Sequence, residues 1–464
     1  MIRDKLLSAR ESLSGLEGRF ARWQITVLAS MYVGYAAFMV CRNTLIASSA
    51  QMMEDPALGM DKESFGHLMS WHSAGAIMGK LVTGPGADWL GGRRMFLIAL
   101  SLTAMANVGF AFSSTFIAFA AFNFFGQFAK SGGWPAMTKM VSSWYEESRY
   151  GQVWSIISTS SRVGTILAGL VLGYLLSLID WRGVFVFSAV STFGVVALLW
   201  FYMKDHPQDV GLSSLKVHCD SKRLAATSVS STEGTVASDT PHPFDSLTLW
   251  QVCGQFVRSG RFWSIGFSIV FLTIVMDFLT FIPIYLSESL NISASKASMA
   301  GSAFPAGMFT ALVLTSFFYD RLSKRQLVIV LGGLLATSSI CVLALWNLDM
   351  IATSLRTPAA IATIFLLGLT ISPAYYVPMS VFSVSFGGKH SGFLVSLIDV
   401  FGYSGALLFN FFGGSIAEHY GWSVFLSGLL TITVSATVCM VTFLSLDRKC
   451  EKIQLDVVPR SDRR

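Results

Sequence analysis

Arg42 stands inside "VGYAAFMVCRNTL", residues 33–45, a stretch otherwise suited to a lipid-facing helix. A charge in such a run is costly and usually faces a cavity or a partner. At helical spacing Tyr35, Met39 and Arg42 fall on one stripe, with Tyr32 a turn away. Other apolar runs carry charges too. His72, Ala76 and Lys80 share a face, Lys130 lies in "GQFAKSGGWP", and Ser155, Ser158, Thr159, Arg162 and Thr165 make a polar stripe. The second half of the chain supplies acids instead: Asp277 with Thr273 and Thr280, and Asp399 with Ser396 and Tyr403. Ser372, Tyr375 and Tyr376 lie beside Pro373 and Pro378, which suits a bent helix at a cavity.

An arginine fork holds a phosphate or carboxylate through two hydrogen bonds, so Arg42 reads as a pocket arginine. Snorkelling to the membrane surface is the alternative, but apolar residues continue to about Met53. Lys80 lies close to a loop, and two readings stand: anion contact or a structural ion pair. Lys130 and Arg162 either touch the anion or neutralise Asp277 and Asp399. Pairing is favoured for Lys130, because four free cations around one anion would overcompensate. Opposed signs suit a zwitterion, or an anion accompanied by a proton that titrates an aspartate; permanent pairing is the alternative. His72 reads as a packing residue. The six cysteines form no metal-ligand pair, and no nucleophile–base constellation is present. An enzyme is therefore disfavoured, and neither a cofactor nor a metal is expected.

These residues need a membrane framework. The chain has 464 residues, 53% hydrophobic and 13% charged, with positive mean hydropathy. That composition belongs to a polytopic membrane protein. Apolar segments fall near 24–46, 65–86, 94–113, 115–142, 151–177, 182–203, 262–286, 296–319, 326–347, 358–386, 390–416 and 421–444. Residues 1–23 are polar and lack a signal-peptide pattern. Residues 204–261, with "KRLAATSVSSTEGTVASDTPHP" in their middle, read as a flexible linker between two sets of six spans, and 445–464 as a tail. Most of the 33 Lys and Arg fall on the side of the termini and linker, against Lys62, Arg182, Lys296 and Arg356 on the other. Both termini are thus expected in the cytoplasm. The basic pI follows from topology and gives no support to nucleic-acid binding.

The halves echo each other. "GPGADWLGGRR" at 84–94 and "SFFYDRLSKRQ" at 316–326 both place an acid, a small residue and a basic pair. The loop motifs are Gly84, Asp88, Arg93 and Arg94 in the first, and Asp320 and Arg325 in the second. Two copies at equivalent places indicate an internal repeat, in which the acid caps a neighbouring helix. Pro207 in "KDHPQDVGL" is expected to end span six.

The loop pattern, twelve spans and central linker resemble the major facilitator superfamily, with Trp89 where a cation is common. "GYAAFMVCRNTL", "GKLVTGPGADWL", "GGWPAMTKMVSSWYEESRYGQVWSIISTSSRVG" and "KDHPQDVGL" are similar to the organophosphate:phosphate antiporter family, which includes glycerol-3-phosphate and hexose-phosphate carriers. The likeness is specific over roughly 33–212 and thinner over 262–445, where "FGYSGALL" and "HYGWSVFL" anchor it. The resemblance implies an all-α fold of two six-helix bundles with a site between them. It also implies exchange of a phosphate ester for inorganic phosphate, and a monomer able to act alone. In that family an arginine at the place of Arg42 binds the phosphoryl group, Tyr35 matches a lining tyrosine, and Lys80 matches a family lysine. The family's second basic residue, in span seven, falls at Val275, with Asp277 two residues on. A histidine that some members carry in span five falls at Ser161, beside Arg162. Either Arg162 replaces the missing charge or the cargo differs. The expectation is a secondary carrier of a small organic anion, phosphate esters first, in a bacterial inner membrane; an organellar membrane is the alternative. Proton-coupled symport of a carboxylate or other organic anion is the runner-up, and a transporter-like ligand sensor stays open.

Overall fold

In hydrocarbon every backbone N–H and C=O must find an internal partner, so an apolar chain of this length becomes helices. The computed structural model describes residues 2–146, 149–214, 251, 254, 257–318, 321–387 and 391–457. They form twelve successive helical rods and, among the described residues, no strand. The first six are α1 (Ile2–Glu54), α2 (Lys62–Leu90), α3 (Gly92–Ala111), α4 (Phe116–Lys130 and Gly133–Trp144), α5 (Tyr150–Leu167, then a π turn Ala168–Leu172 and Gly173–Leu175) and α6 (Trp181–Tyr202). The second six are α7 (Gly260–Asp277, a 3-10 turn Phe278–Thr280 and Ile282–Leu290), α8 (Ala294–Gly301 and Ala303–Phe318), α9 (Lys324–Trp346), α10 (Thr353–Gly387), α11 (Ser391–His419) and α12 (Gly421–Val457).

Ten of these rods are long and apolar enough to cross a membrane. The exceptions are α2, diluted by His67, His72, Lys80 and small residues, and α4, which breaks at Ser131–Gly132. That break is a packing requirement. A Cβ at Gly132 would come within 2.5 Å of Met95, and one at Gly133 within 3.0 Å of Phe38. The prolines of α10 are absorbed within one continuous helix.

Two buried clusters hold the rods: one lies within the first half, and the other runs from the second half into distal residues of the first, such as Leu45, Phe65 and Phe185. In the first, α1, α3 and α4 meet around Phe38, Phe96, Met137 and Trp144. In the second, α7, α9 and α12 meet around Phe278, Phe281, Leu335 and Phe425. An even number of rods puts the termini and the 204–261 segment at one end, here the linker face; the other end is the distal face. α2 is wedged between its own neighbour α4 and α11 of the other half. Cβ atoms at Gly75 and Gly79 would meet the Phe124 and Phe128 carbonyls of α4, at 2.3 and 2.6 Å. A Cβ at Gly66 would lie 2.3 Å from the Asn410 carbonyl of α11, beside Gly414. Glycine here permits backbone-to-backbone approach. Ser70 Oγ donates to Leu407 O at 3.0 Å, and Lys62 pairs with Glu288 and Glu418 at 3.1 and 3.3 Å. Across the molecule Gly169 and Gly173 of α5 pack on Ser298, Met299 and Ser302 of α8. The distal face is thereby closed.

On the linker face, the α2–α3 turn docks onto α6. Gly91 adopts φ +80°, a left-handed conformation that glycine enters without a Cβ clash. Asp205 Oδ1 accepts the Arg93 N–H at 2.5 Å, and Arg93 Nη2 donates to Trp200 O at 2.7 Å. The α3 cap thus comes from "KDHPQDVGL". Contrary to expectation, Pro207 does not end α6, which stops at Tyr202; Pro207 opens a 3-10 turn whose Asp209 accepts the His206 N–H at 3.0 Å. In the second copy, Ser323 and Gln326 cap α9 locally, and Arg94 and Arg325 are exposed. Asp320, the surroundings of Gly84, the side chains of Asp88 and Ser396, and residues 215–250 of the linker lie outside the described residues.

Candidate functional site

Arg42 lies twelve residues before the end of α1, about 18 Å along the helix at 1.5 Å per residue, near mid-membrane. Its Nε is 3.3 Å from His72 Nε2. For that nitrogen to accept, the ring proton must be on Nδ1, which meets Asn123 Oδ1 at 3.1 Å. Asn123 in turn donates to Leu68 O at 2.8 Å. His72 therefore does more than fill space: it orients Arg42, and Asn123 sets its tautomer. Arg42, His72, Asn107, Asn123 and Gln127 border a small polar cleft in the first half.

The remaining charges gather around Arg42. Lys80 Nζ forms an ion pair with the Asp399 carboxylate, joining α2 to α11, and lies 5.0 Å from the Tyr403 ring centre. Arg162 is only 7% exposed. Its Nη1 donates to Ser158 O at 3.0 Å and Ser161 Oγ at 2.5 Å, and its guanidinium stacks 4.1 Å from the Tyr376 ring centre. Among the described residues its Nε and Nη2 have no partner. Lys130, also 7% exposed, lies 5.9 Å from the Tyr35 ring centre, within electrostatic reach of Arg42, Lys80 and Asp399. Tyr35 is within reach of Arg42, Arg162, Tyr376 and Tyr403. Asp277 accepts a hydrogen bond from Asn410 and is within reach of Arg42.

All eight residues singled out within the spans thus meet in one place. Of the readings left open, Lys80 takes its structural ion pair, and the favoured pairing of Lys130 is not seen among the described residues. The lysine on Asp399 is Lys80, not Lys130, because α2 and not α4 packs against α11. Arg162 neutralises neither aspartate; it faces Tyr376 of α10. Val275, at the family's second basic position, is fully buried. Asn123 and Asn410 escaped the sequence reading. Both occupy the pentapeptide "FNFFG", at 122–126 and 409–413, and a lone amide in an apolar run is itself a signal for a buried polar contact.

Twelve rods in two packed halves, with charged and polar side chains converging from both, define a membrane carrier fold. Residues 31–285 and 263–459 match the model of the Major Facilitator Superfamily, and the chain belongs to that family. It is 24% identical over 448 residues to a probable hexose phosphate transport protein of Chlamydia pneumoniae, covering 94% of this chain and 93% of the relative. It is 22% identical over 437 residues to the membrane sensor protein UhpC of Salmonella typhimurium, covering 93% of each. Among solved structures it resembles a POT family transporter in complex with thioalcohol conjugated peptide, with a TM-score of 0.67 at 14% identity, over 91% of this chain and 96% of the other.

Proposed function

We propose that this protein exchanges a small phosphate ester, a sugar phosphate first, for inorganic phosphate by alternating access. The observation that carries the reading is the state of the two arginines. Among the described residues, Arg162 is buried with three N–H donors unspent, one on Nε and two on Nη2, and Arg42 is held only through Nε. Both lie within reach of Tyr35. Stranded donors on buried guanidinium groups are satisfied by a multi-oxygen anion such as phosphate. Arg162 supplies the charge that Val275 lacks. The relatives named for hexose phosphate transport support the choice of cargo.

In this reading the halves 24–203 and 262–444 rock about the site, and the Lys80–Asp399 pair opens and closes with them. Lys130 and Tyr403 line the anion's surroundings, and Asp399 is a charge-pairing residue. The loop motifs Gly84, Asp88, Arg93 and Arg94, and Asp320 and Arg325, set the linker-face stop. The termini face the cytoplasm of a bacterial inner membrane, and one copy suffices.

The test is uptake of labelled glucose 6-phosphate and glycerol phosphate into proteoliposomes loaded with phosphate. Exchange that needs internal phosphate and is lost in Arg42→Ala supports the reading. Gradient-driven uptake of an unphosphorylated anion instead would replace it with symport. Binding without flux would make the protein a ligand sensor.

A further inference from the structure

Asp277 closes the first piece of α7, and its described partner is the side-chain amide of Asn410 on α11. No cation among the described residues forms an ion pair with it. Asn410 is fully buried, and among the described residues its Oδ1 has no partner. An ionised carboxylate can only accept hydrogen bonds, so it leaves that amide oxygen stranded. Turning the amide over does not help. The oxygen would then face a carboxylate oxygen, and the NH2 group would lose its acceptor. A proton on Asp277 resolves both orientations. The acid O–H donates to the amide oxygen while the amide N–H donates to the acid carbonyl, closing a two-bond ring.

The groups facing Asp277 fix what controls this proton. From α1 comes Arg42, within electrostatic reach. From α2 comes His72, bonded to Arg42. From α10 comes Tyr375, which meets α7 at Thr273. From α12 comes the aromatic ring of Phe425, packed on Phe278 and Phe281. Arg42 is thus the charge that favours ionised Asp277. An anion seated on Arg42 cancels that charge. Asp399 is occupied by Lys80 and cannot play the same part.

We propose that Asp277 and Asn410 form a proton-binding site linked through Arg42 to the anion, so that the carrier binds one proton with each anion and releases both together. The O–H bond forms with a proton from the aqueous phase at Asp277 and breaks on release to the other side. Linkage is reciprocal: the anion promotes proton binding, and the proton promotes anion binding. In an exchange cycle the two protons cancel, so pH acts on anion affinity and not on the direction of exchange. The linkage to the anion rests on the phosphate reading above; the proton site does not.

Two measurements on the full-length protein in lipid bilayers test this. The first is an infrared pH titration without anion. The parent is expected to gain the carbonyl stretch of a protonated buried acid, a band absent in Asp277→Asn and shifted in Asn410→Leu, which keeps the acid and removes the amide. Identical titrations of parent and both variants overturn the proton site. The second is proton uptake on adding inorganic phosphate in weak buffer. The phosphate's own ionisation cancels between the two proteins, and the parent is expected to take up about one proton more per bound phosphate than Asp277→Asn. Equal uptake overturns the linkage. If neither protein binds phosphate, the anion reading fails, and the infrared band still decides whether Asp277 holds a proton.

Discussion

Arg162→Met separates a binding arginine from a structural one, because the two roles move stability and affinity in different directions. Methionine keeps an apolar stem of similar reach and removes the guanidinium. That group has two N–H donors spent on Ser158 O and Ser161 Oγ and, among the described residues, three left stranded in a buried setting. A hydrogen bond from a charged donor is worth about 1.5–3 kcal/mol, and a stranded donor costs about 1–3 kcal/mol. These contributions offset each other. What remains is desolvation of the charge, several kcal/mol in a protein interior, against a stacking gain on Tyr376 of up to about 2 kcal/mol. The variant should therefore unfold at the same temperature as the parent or higher. With an anion bound, two of the stranded donors, one on Nε and one on Nη2, find oxygens. Losing two charge-assisted bonds, about 1.5–3 kcal/mol each, weakens phosphate binding by roughly 10²- to 10⁴-fold. Thermal unfolding of the purified protein with and without phosphate reads both quantities, since a ligand raises apparent stability only if it binds. The parent should gain stability with phosphate and the variant should not. Arg162→Lys keeps the charge without the fork and should fall between them. A variant that melts well below the parent yet still responds to phosphate would refute the reasoning and make Arg162 a strut.

Two further outcomes follow from the contacts. Asp399→Asn and Lys80→Met each strand one member of a pair that bridges the halves, and each should destabilise by about 1–3 kcal/mol, reduced from the fully buried value because both side chains are partly exposed. The double variant should lose less than the sum, with a coupling of about 1–3 kcal/mol in a double-mutant cycle of unfolding; additive losses would mean the pair does not form. On the distal face, Asp55 accepts the Trp181 Nε1–H at 2.9 Å and the Ala57 N–H at 3.0 Å, which hold its carboxyl below the usual aspartate range. Its contribution is present above the ordinary aspartate pKa and lost as pH falls through the lowered one. Trp181 emission should change in that acid window and stay flat in Asp55→Ala.

The rods and the charged residues were legible for one reason. Placing a charge in hydrocarbon is so costly that its position in an apolar run points to a cavity whatever the tertiary structure. Arg42, Lys80, Lys130, Arg162, Asp277 and Asp399 could be chosen that way, and they converge. Partners were not legible. Asp205 lies 112 residues from the Arg93 N–H it accepts, and nothing local to either announces the other. The "FNFFG" amides were readable as polar insertions, but only the fold gives one to His72 and the other to Asp277.

The Lys80–Asp399 pair shows what decides partners. α2 runs from the distal face to the linker face, and α11 runs back, so a single contact sets their register. That contact is Gly66 against Gly414, where neither helix has a side chain to hold them apart. Lys80 lies fourteen residues beyond Gly66, about 21 Å along α2. Asp399 lies fifteen residues before Gly414, about 22 Å along α11. The two charges arrive level with each other because the glycine contact makes the helices share a starting point. Lys130, at the end of the first piece of α4, has no such register with α11, since α2 stands between them. Charge counting could say that one lysine must answer Asp399. The choice of lysine was fixed by two residues without side chains, about 20 Å away.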